Sequence, residues 1–225
     1  MCRLMYLPRG ARPSKRVLKN WLVSLDESFG GHGCGLASHG KVRKGVAFTS
    51  RAAAALISKS KGPVLWHTRR VSCGPRSDEL CHPFPTANGS FLAHNGHWTK
   101  GAFTASMLAG SWSDSAVAAR YIQLYGWAKF TEHCEAGVWL HMTPEGVEVH
   151  YMSGDLWVEE KTGALCSEPC KGWGVWNKAS FGTYKVGERV PAREASKPNL
   201  ERLLVGYENK KDLLWDRMGL PRLQS

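Results

Sequence analysis

The sequence predicts an α+β layered domain, and three observations carry that expectation. Helical segments stand near the beginning, middle and end of the chain. Short apolar runs of strand composition fall in two groups between them, and the second half holds a hairpin around a Pro/Gly turn. The 225 residues, 43% hydrophobic and 22% charged, suit one soluble domain spanning 1–225 with a sizeable core.

The elements follow in order. Residues 14–29 have helical spacing, with Val17, Leu18, Trp21, Leu22 and Leu25 on one side and Gly30-Gly31 as the stop. Gly31–Ser38 reads as a turn entering a short strand, and Val46–Thr49 as a second strand. Ser50–Lys59 is alanine-rich and helical. Val64–Thr68 reads as a buried strand, as does Phe91–Ala93 before a turn at His94-Asn95-Gly96. A helix runs from Ser113 or Asp114 to Tyr125, with the serine or aspartate as N-cap. Val138–Met142 and Val147–Met152 flank Thr143-Pro144-Glu145-Gly146 as a hairpin. Asp155–Glu160 and Val175–Trp176 add to that sheet, and Glu194–Gly206 and Lys210–Met218 form a helical tail.

Composition narrows the function classes. No apolar run reaches the roughly 18 residues of a membrane span. Pro8, Arg9, Arg12, Pro13, Lys15 and Arg16 interrupt any signal-peptide core. A cytoplasmic location is expected, with the seven cysteines mostly reduced thiols and not a disulfide framework. The formal charge of +11 gathers at Arg12–Lys19, Lys41–Lys44 and Lys59–Lys61. Without zinc-finger spacing or an RNP-type sequence, these read as solvated faces or a dock for an acidic protein, not as a nucleic-acid surface. Cys166 and Cys170 lack the second pair that a zinc site needs, so no metal is expected. His32, His39, His67, His82, His94 and His97 read as pocket-lining or structural, and the ten tryptophans as core and pocket walls.

Cys2 is the most informative residue. Once Met1 is removed, one carbon carries both a thiol and a free α-amine. That amine, with a pKa of about 7.7–8.0, can take the thiol proton near neutrality without help from a histidine. Downstream stand His67-Thr68-Arg69-Arg70-Val71-Ser72-Cys73-Gly74, His82-Pro83-Phe84, His94-Asn95-Gly96 and Ser113-Asp114-Ser115.

Their order and separations resemble the glutaminase domain of class II glutamine amidotransferases, which are N-terminal-nucleophile hydrolases. The likeness covers about the first half of the chain, and "MCRL" with "GHGCGLA" is most similar to the small stand-alone members. The resemblance implies a four-layer αββα sandwich and no cofactor. It implies that Cys2 attacks the side-chain amide of L-glutamine, or of another γ-glutamyl compound, to form a γ-glutamyl thioester. Asn95 and the Gly96 N–H would form the oxyanion hole. Arg69 and Ser72 would hold the α-carboxylate and Asp114 the α-ammonium. Arg70 stands where the family commonly has an aromatic, Ser72 where it has threonine, and Trp66 where glycine often precedes the histidine. Only about 30 residues follow the sheet region, so an acceptor for the ammonia is expected on a separate synthase protein. Two other readings stand beside this one: a free-standing γ-glutamyl amide or peptide hydrolase, and a non-catalytic basic binding module on the same fold.

Overall fold

A computed structural model describes residues 2–98 and 111–186. The described chain runs β1 (Arg3–Leu7), α1 (Lys15–Phe29), β2 (Cys34–Ser38), β3 (Lys41–Gly45), α2 (Ser50–Ile57), β4 (Val64–Thr68), β5 (Phe84–Pro85) and β6 (Phe91–Asn95). It continues through α3 (Asp114–Tyr125), α4 (Trp127–Thr131), β7 (Val138–Met142), β8 (Val147–Tyr151), β9 (Trp157–Glu159), β10 (Leu165–Cys166), β11 (Trp176–Lys178) and β12 (Gly182–Val186).

The strands form two antiparallel sheets, ordered β11-β9-β10-β1-β4-β2-β3 and β12-β8-β7-β6-β5. Side-chain alternation builds the layers. On β1, Leu4 and Tyr6 enter a core shared with Phe91, Ala93, Val138, Leu140 and Val149 of the second sheet. Met5 and Leu7 turn outward onto Leu18, Leu22 and Leu25 of α1 and Ala53 and Ile57 of α2. On the far side Leu92 and Trp139 pack on Val117, Ile122 and Phe130 from α3 and α4. The result is helix, sheet, sheet, helix. Burying each large apolar side chain in these three cores stabilises the fold by about 1.5–3 kcal/mol.

Local chemistry sets the element ends. The Ser14 hydroxyl accepts from the Val17 N–H to start α1, and the Gly30 N–H donates to the Asp26 carbonyl to end it. α3 starts the same way, with the Ser113 hydroxyl accepting from Ala116. The basic run Lys41–Lys44 becomes the edge strand β3, where charge discourages pairing with another chain.

The structure corrects several expectations. Val46–Thr49 is not a strand: the Val46 N–H donates to Asp78 at 2.7 Å, Phe48 turns back onto the Gly45 carbonyl, and Thr49 caps α2. The strand beginning at Phe91 continues through His94 and Asn95, because β7 pairs with both through Trp139 and Val138. The strands β1, β3, β5, β10 and β12 stand where none is expected, and Trp157–Glu159 (β9) and Trp176–Lys178 (β11) join the first sheet instead of the hairpin's sheet, because β9 pairs with β10 and β11. The tail at Glu194–Gly206 and Lys210–Met218 lies outside the described residues, as does Met1. No helix among the described residues is long and apolar enough to cross a membrane.

Candidate active site

β1 and β4 run antiparallel with Arg3 opposite Thr68, so Cys2 and Arg69 emerge at the same end of the first sheet. The end of β6 faces them across the sandwich, where the His67 ring and the His94 carbonyl meet at 3.0 Å. There Cys2, Arg69, Ser72, Gly96 and Asp114 line one pocket together with Arg70, Cys73, His82, His94, Ser113 and Ser115. Five of the six expected site residues are thus gathered from four distant segments. The sixth, Asn95, stands one residue behind the lining, 4% exposed, with a buried Oδ1 that has no hydrogen-bond partner among the described residues.

The Cys2 sulfur accepts from the Arg70 N–H at 3.2 Å, and the Arg70 carbonyl lies 3.5 Å away. Burial pushes the thiol pKa up, while the Arg70 N–H and the Arg69 charge pull it back. A thiol with a raised pKa needs a base to react, which a neighbouring α-amine would supply.

Arg69 is 2% exposed, and its guanidinium donates to the Pro75 and Cys73 carbonyls at 2.8 and 2.9 Å. Two carbonyls do not exhaust five donors, so the fork keeps capacity for a carboxylate. Burial lowers its pKa, though a guanidinium stays cationic at any physiological pH. Ser72 is exposed at the pocket.

Asp114 opens α3 and is buried. Its Oδ1 accepts from the Ser115 N–H at 2.8 Å and hydroxyl at 3.2 Å, and from the Cys73 thiol at 3.5 Å. Its Oδ2 accepts from the Trp98 N–H at 3.0 Å. A carboxylate offers about four lone-pair sites, so Oδ2 keeps room for an ammonium.

Gly96 follows β6 with φ +145, a conformation that side chains rarely adopt. A Cβ there would lie 2.8 Å from the Gly137 Cα and 3.0 Å from the His94 ring. Glycine at position 96 is therefore required by the close approach of the two backbones.

Sequence reasoning gave no role to Cys73, yet its thiol touches Asp114. The histidines read as pocket-lining divide: His82 and His94 line the pocket, and His67 backs it. Burial holds the His67 pKa down to about 3, that of His94 to about 4 and that of His82 well below the usual imidazole range. All three rings are neutral near pH 7. The seven cysteines are free thiols. Among the described residues no group of His, Cys, Asp or Glu side chains is arranged to hold a metal.

No family model and no curated protein matches the sequence. Solved structures do match. Glutamine phosphoribosylpyrophosphate amidotransferase from B. subtilis, complexed with ADP and GMP, superposes with a TM-score of 0.55 at 19% identity, over 83% of this chain and 49% of that one. The allosteric regulatory enzyme of purine biosynthesis superposes at 0.58 and 20% identity, over 83% and 48%. This chain spans about half the length of the structures it matches. At such identity the likeness speaks for the fold alone: two antiparallel sheets between helices, shared with the matched half of those structures.

Proposed function

We propose that this protein is a glutaminase of the amidotransferase type. Cys2, freed of Met1, attacks the glutamine side-chain amide, and ammonia leaves. Water then hydrolyses the γ-glutamyl thioester to glutamate. Arg69 and Ser72 receive the α-carboxylate, Asp114 the α-ammonium, and Asn95 with the Gly96 N–H the developing oxyanion. One observation carries this reading: a single pocket holds a thiol, a buried guanidinium and a buried carboxylate, the groups needed to cut an amide and grip a zwitterion.

Ammonia freed into water at neutral pH is protonated and loses its nucleophilicity, so the acceptor site is proposed on a docked synthase protein. The surplus of positive charge suits an acidic partner whose association weakens with salt. The deciding experiment combines intact mass with glutamine turnover. Loss of Met1, a glutamyl adduct on Cys2 and complete loss of turnover in a folded Cys2→Ala variant are expected. Full activity in Cys2→Ala defeats the mechanism. Turnover measured with and without partners recovered by pull-down tests the separate acceptor.

A second reading is favoured by Arg70, whose exposed side chain has no hydrogen bond or ion pair among the described residues and stands at the pocket beside Cys2. There it suits an anionic group on a larger leaving amine, as in a γ-glutamyl peptide. Faster, partner-independent hydrolysis of such peptides than of glutamine would select this reading.

A further inference from the structure

His82 presents a physical problem that the roles above leave unsolved. It is 4% exposed, and both ring nitrogens are buried without a hydrogen-bond partner among the described residues. An unsatisfied buried polar group costs about 1–3 kcal/mol, so a native fold keeps one only for a reason. Two neighbouring rings pack against the imidazole. It lies against the His67 ring with centroids 3.9 Å apart and meets Phe84 edge-on at 4.7 Å. The backbone before it is pinned as well, because the Lys44 ammonium takes the Glu79 and Cys81 carbonyls, each at 2.7 Å. A rigid imidazole with one donor and one acceptor unspent therefore stands in the wall of the pocket that holds Cys2.

The other histidines of this end are differently placed. His94 spends Nδ1 on the Ser115 hydroxyl at 3.0 Å, and its Nε2 faces the Gly96 and Gly137 backbones. His67 spends Nε2 on the His94 carbonyl and does not line the pocket. His82 alone combines a free ring with a place in the pocket wall.

We propose that His82 holds the water that hydrolyses the γ-glutamyl thioester on Cys2, a role that rests on the glutaminase reading above. The step balances without a co-reactant. The water oxygen bonds to the thioester carbon, the carbon–sulfur bond breaks, and its electron pair returns to sulfur. One water proton ends on the Cys2 thiol, and the other leaves with the glutamate carboxyl. The ring takes no proton in this scheme. Its acceptor nitrogen orients the water, and its N–H caps a water or product oxygen.

The test separates acylation from deacylation. His82→Phe keeps the ring packing and removes both nitrogens. With glutamine, kcat is expected to fall by about a hundredfold and KM with it, because kcat/KM reports acylation and kcat the hydrolytic step. Intact mass should then show Cys2 carrying one glutamyl group during turnover. Hydroxylamine, which needs no protein to hold it, should restore turnover as γ-glutamyl hydroxamate. His82→Gln, which keeps a donor and an acceptor, should recover part of kcat and provides a second variant should His82→Phe fail to fold. A fall in kcat/KM with no adduct in either variant overturns the proposal, as does unchanged kcat in both. A wild-type protein that is never acylated on Cys2 defeats the glutaminase reading itself, whereas acylation without an effect of His82 defeats only this inference.

Discussion

Buried histidines at two places in the molecule show how differently one fold treats the same side chain. Away from the pocket, His141 places Nδ1 2.8 Å from Glu148 and Nε2 2.9 Å from the Thr86 hydroxyl. His150 is equally complete, with Thr183 at 2.6 Å and the Cys134 carbonyl at 2.7 Å. At the pocket, His67 and His94 each leave one ring nitrogen without a partner among the described residues, and His82 leaves two. His141 and His150 spend both ring nitrogens, whereas the histidines at the pocket keep some back.

The largest effects that bear on this contrast come from the reacting end. Asn95→Ala should lower kcat by about a hundredfold or more if its amide serves the oxyanion. Arg69→Ala and Asp114→Asn should weaken kcat/KM mainly through KM. Steady-state kinetics on the three variants checks the division, and a pure KM effect in Asn95→Ala would remove it from the transition state.

The next effect is on stability. His141→Phe strands the buried Thr86 hydroxyl and takes one of two partners from Glu148, and should cost about 1–3 kcal/mol in denaturant unfolding while glutaminase kcat/KM holds. His82→Phe strands no partner and should cost less. If His82→Phe destabilises more than His141→Phe, the contrast between the two places fails.

A pH effect follows from the depressed imidazoles. The unfolded chain binds their protons near pH 6.5, whereas native His67 and His94 resist until about 3 and 4. The unfolded state therefore holds more protons in that window. Stability is complete above pH 6.5 and drains as pH falls toward 4, by about 1.4 kcal/mol per pH unit for each such histidine. Unfolding midpoints across this range measure the slope, and His67→Gln should flatten it by about one proton. The smallest effect is expected of Cys166→Ser. Its hydroxyl can replace the thiol donor to the Glu168 carbonyl, so stability should stay within about 1 kcal/mol and activity unchanged.

The sequence was legible where periodicity and caps coincide. Ser14 to Phe29 and Ser113 to Tyr125 form the expected helices, and Val64–Thr68 is a strand to the residue. β1 escaped because both its faces are buried, so Arg3–Leu7 shows no polar alternation, and Pro8 and the arginines after it dominate the eye. β12 escaped for the opposite reason: its residues alternate only between exposed and half-buried on a sheet edge. In the site, motif spacing found the residues that converge on the pocket. It could not find the Cys73 contact with Asp114 or the unpaired state of His82, since both arise from how loop and sheet meet in space.

One further consequence concerns time. Leu4 and Ser167 are tied by paired bonds: the Leu4 N–H reaches the Ser167 hydroxyl at 2.9 Å, and the Ser167 N–H the Leu4 carbonyl at 3.1 Å. β1 also finds its outer neighbour in β10, at Leu165 and Cys166. At synthesis rates of about 5–20 residues per second, the two sides of this seam leave the ribosome roughly 10–30 s apart. For that interval β1, which Cys2 immediately precedes, lacks the neighbour on its β10 flank, so this edge of the first sheet is completed late in synthesis.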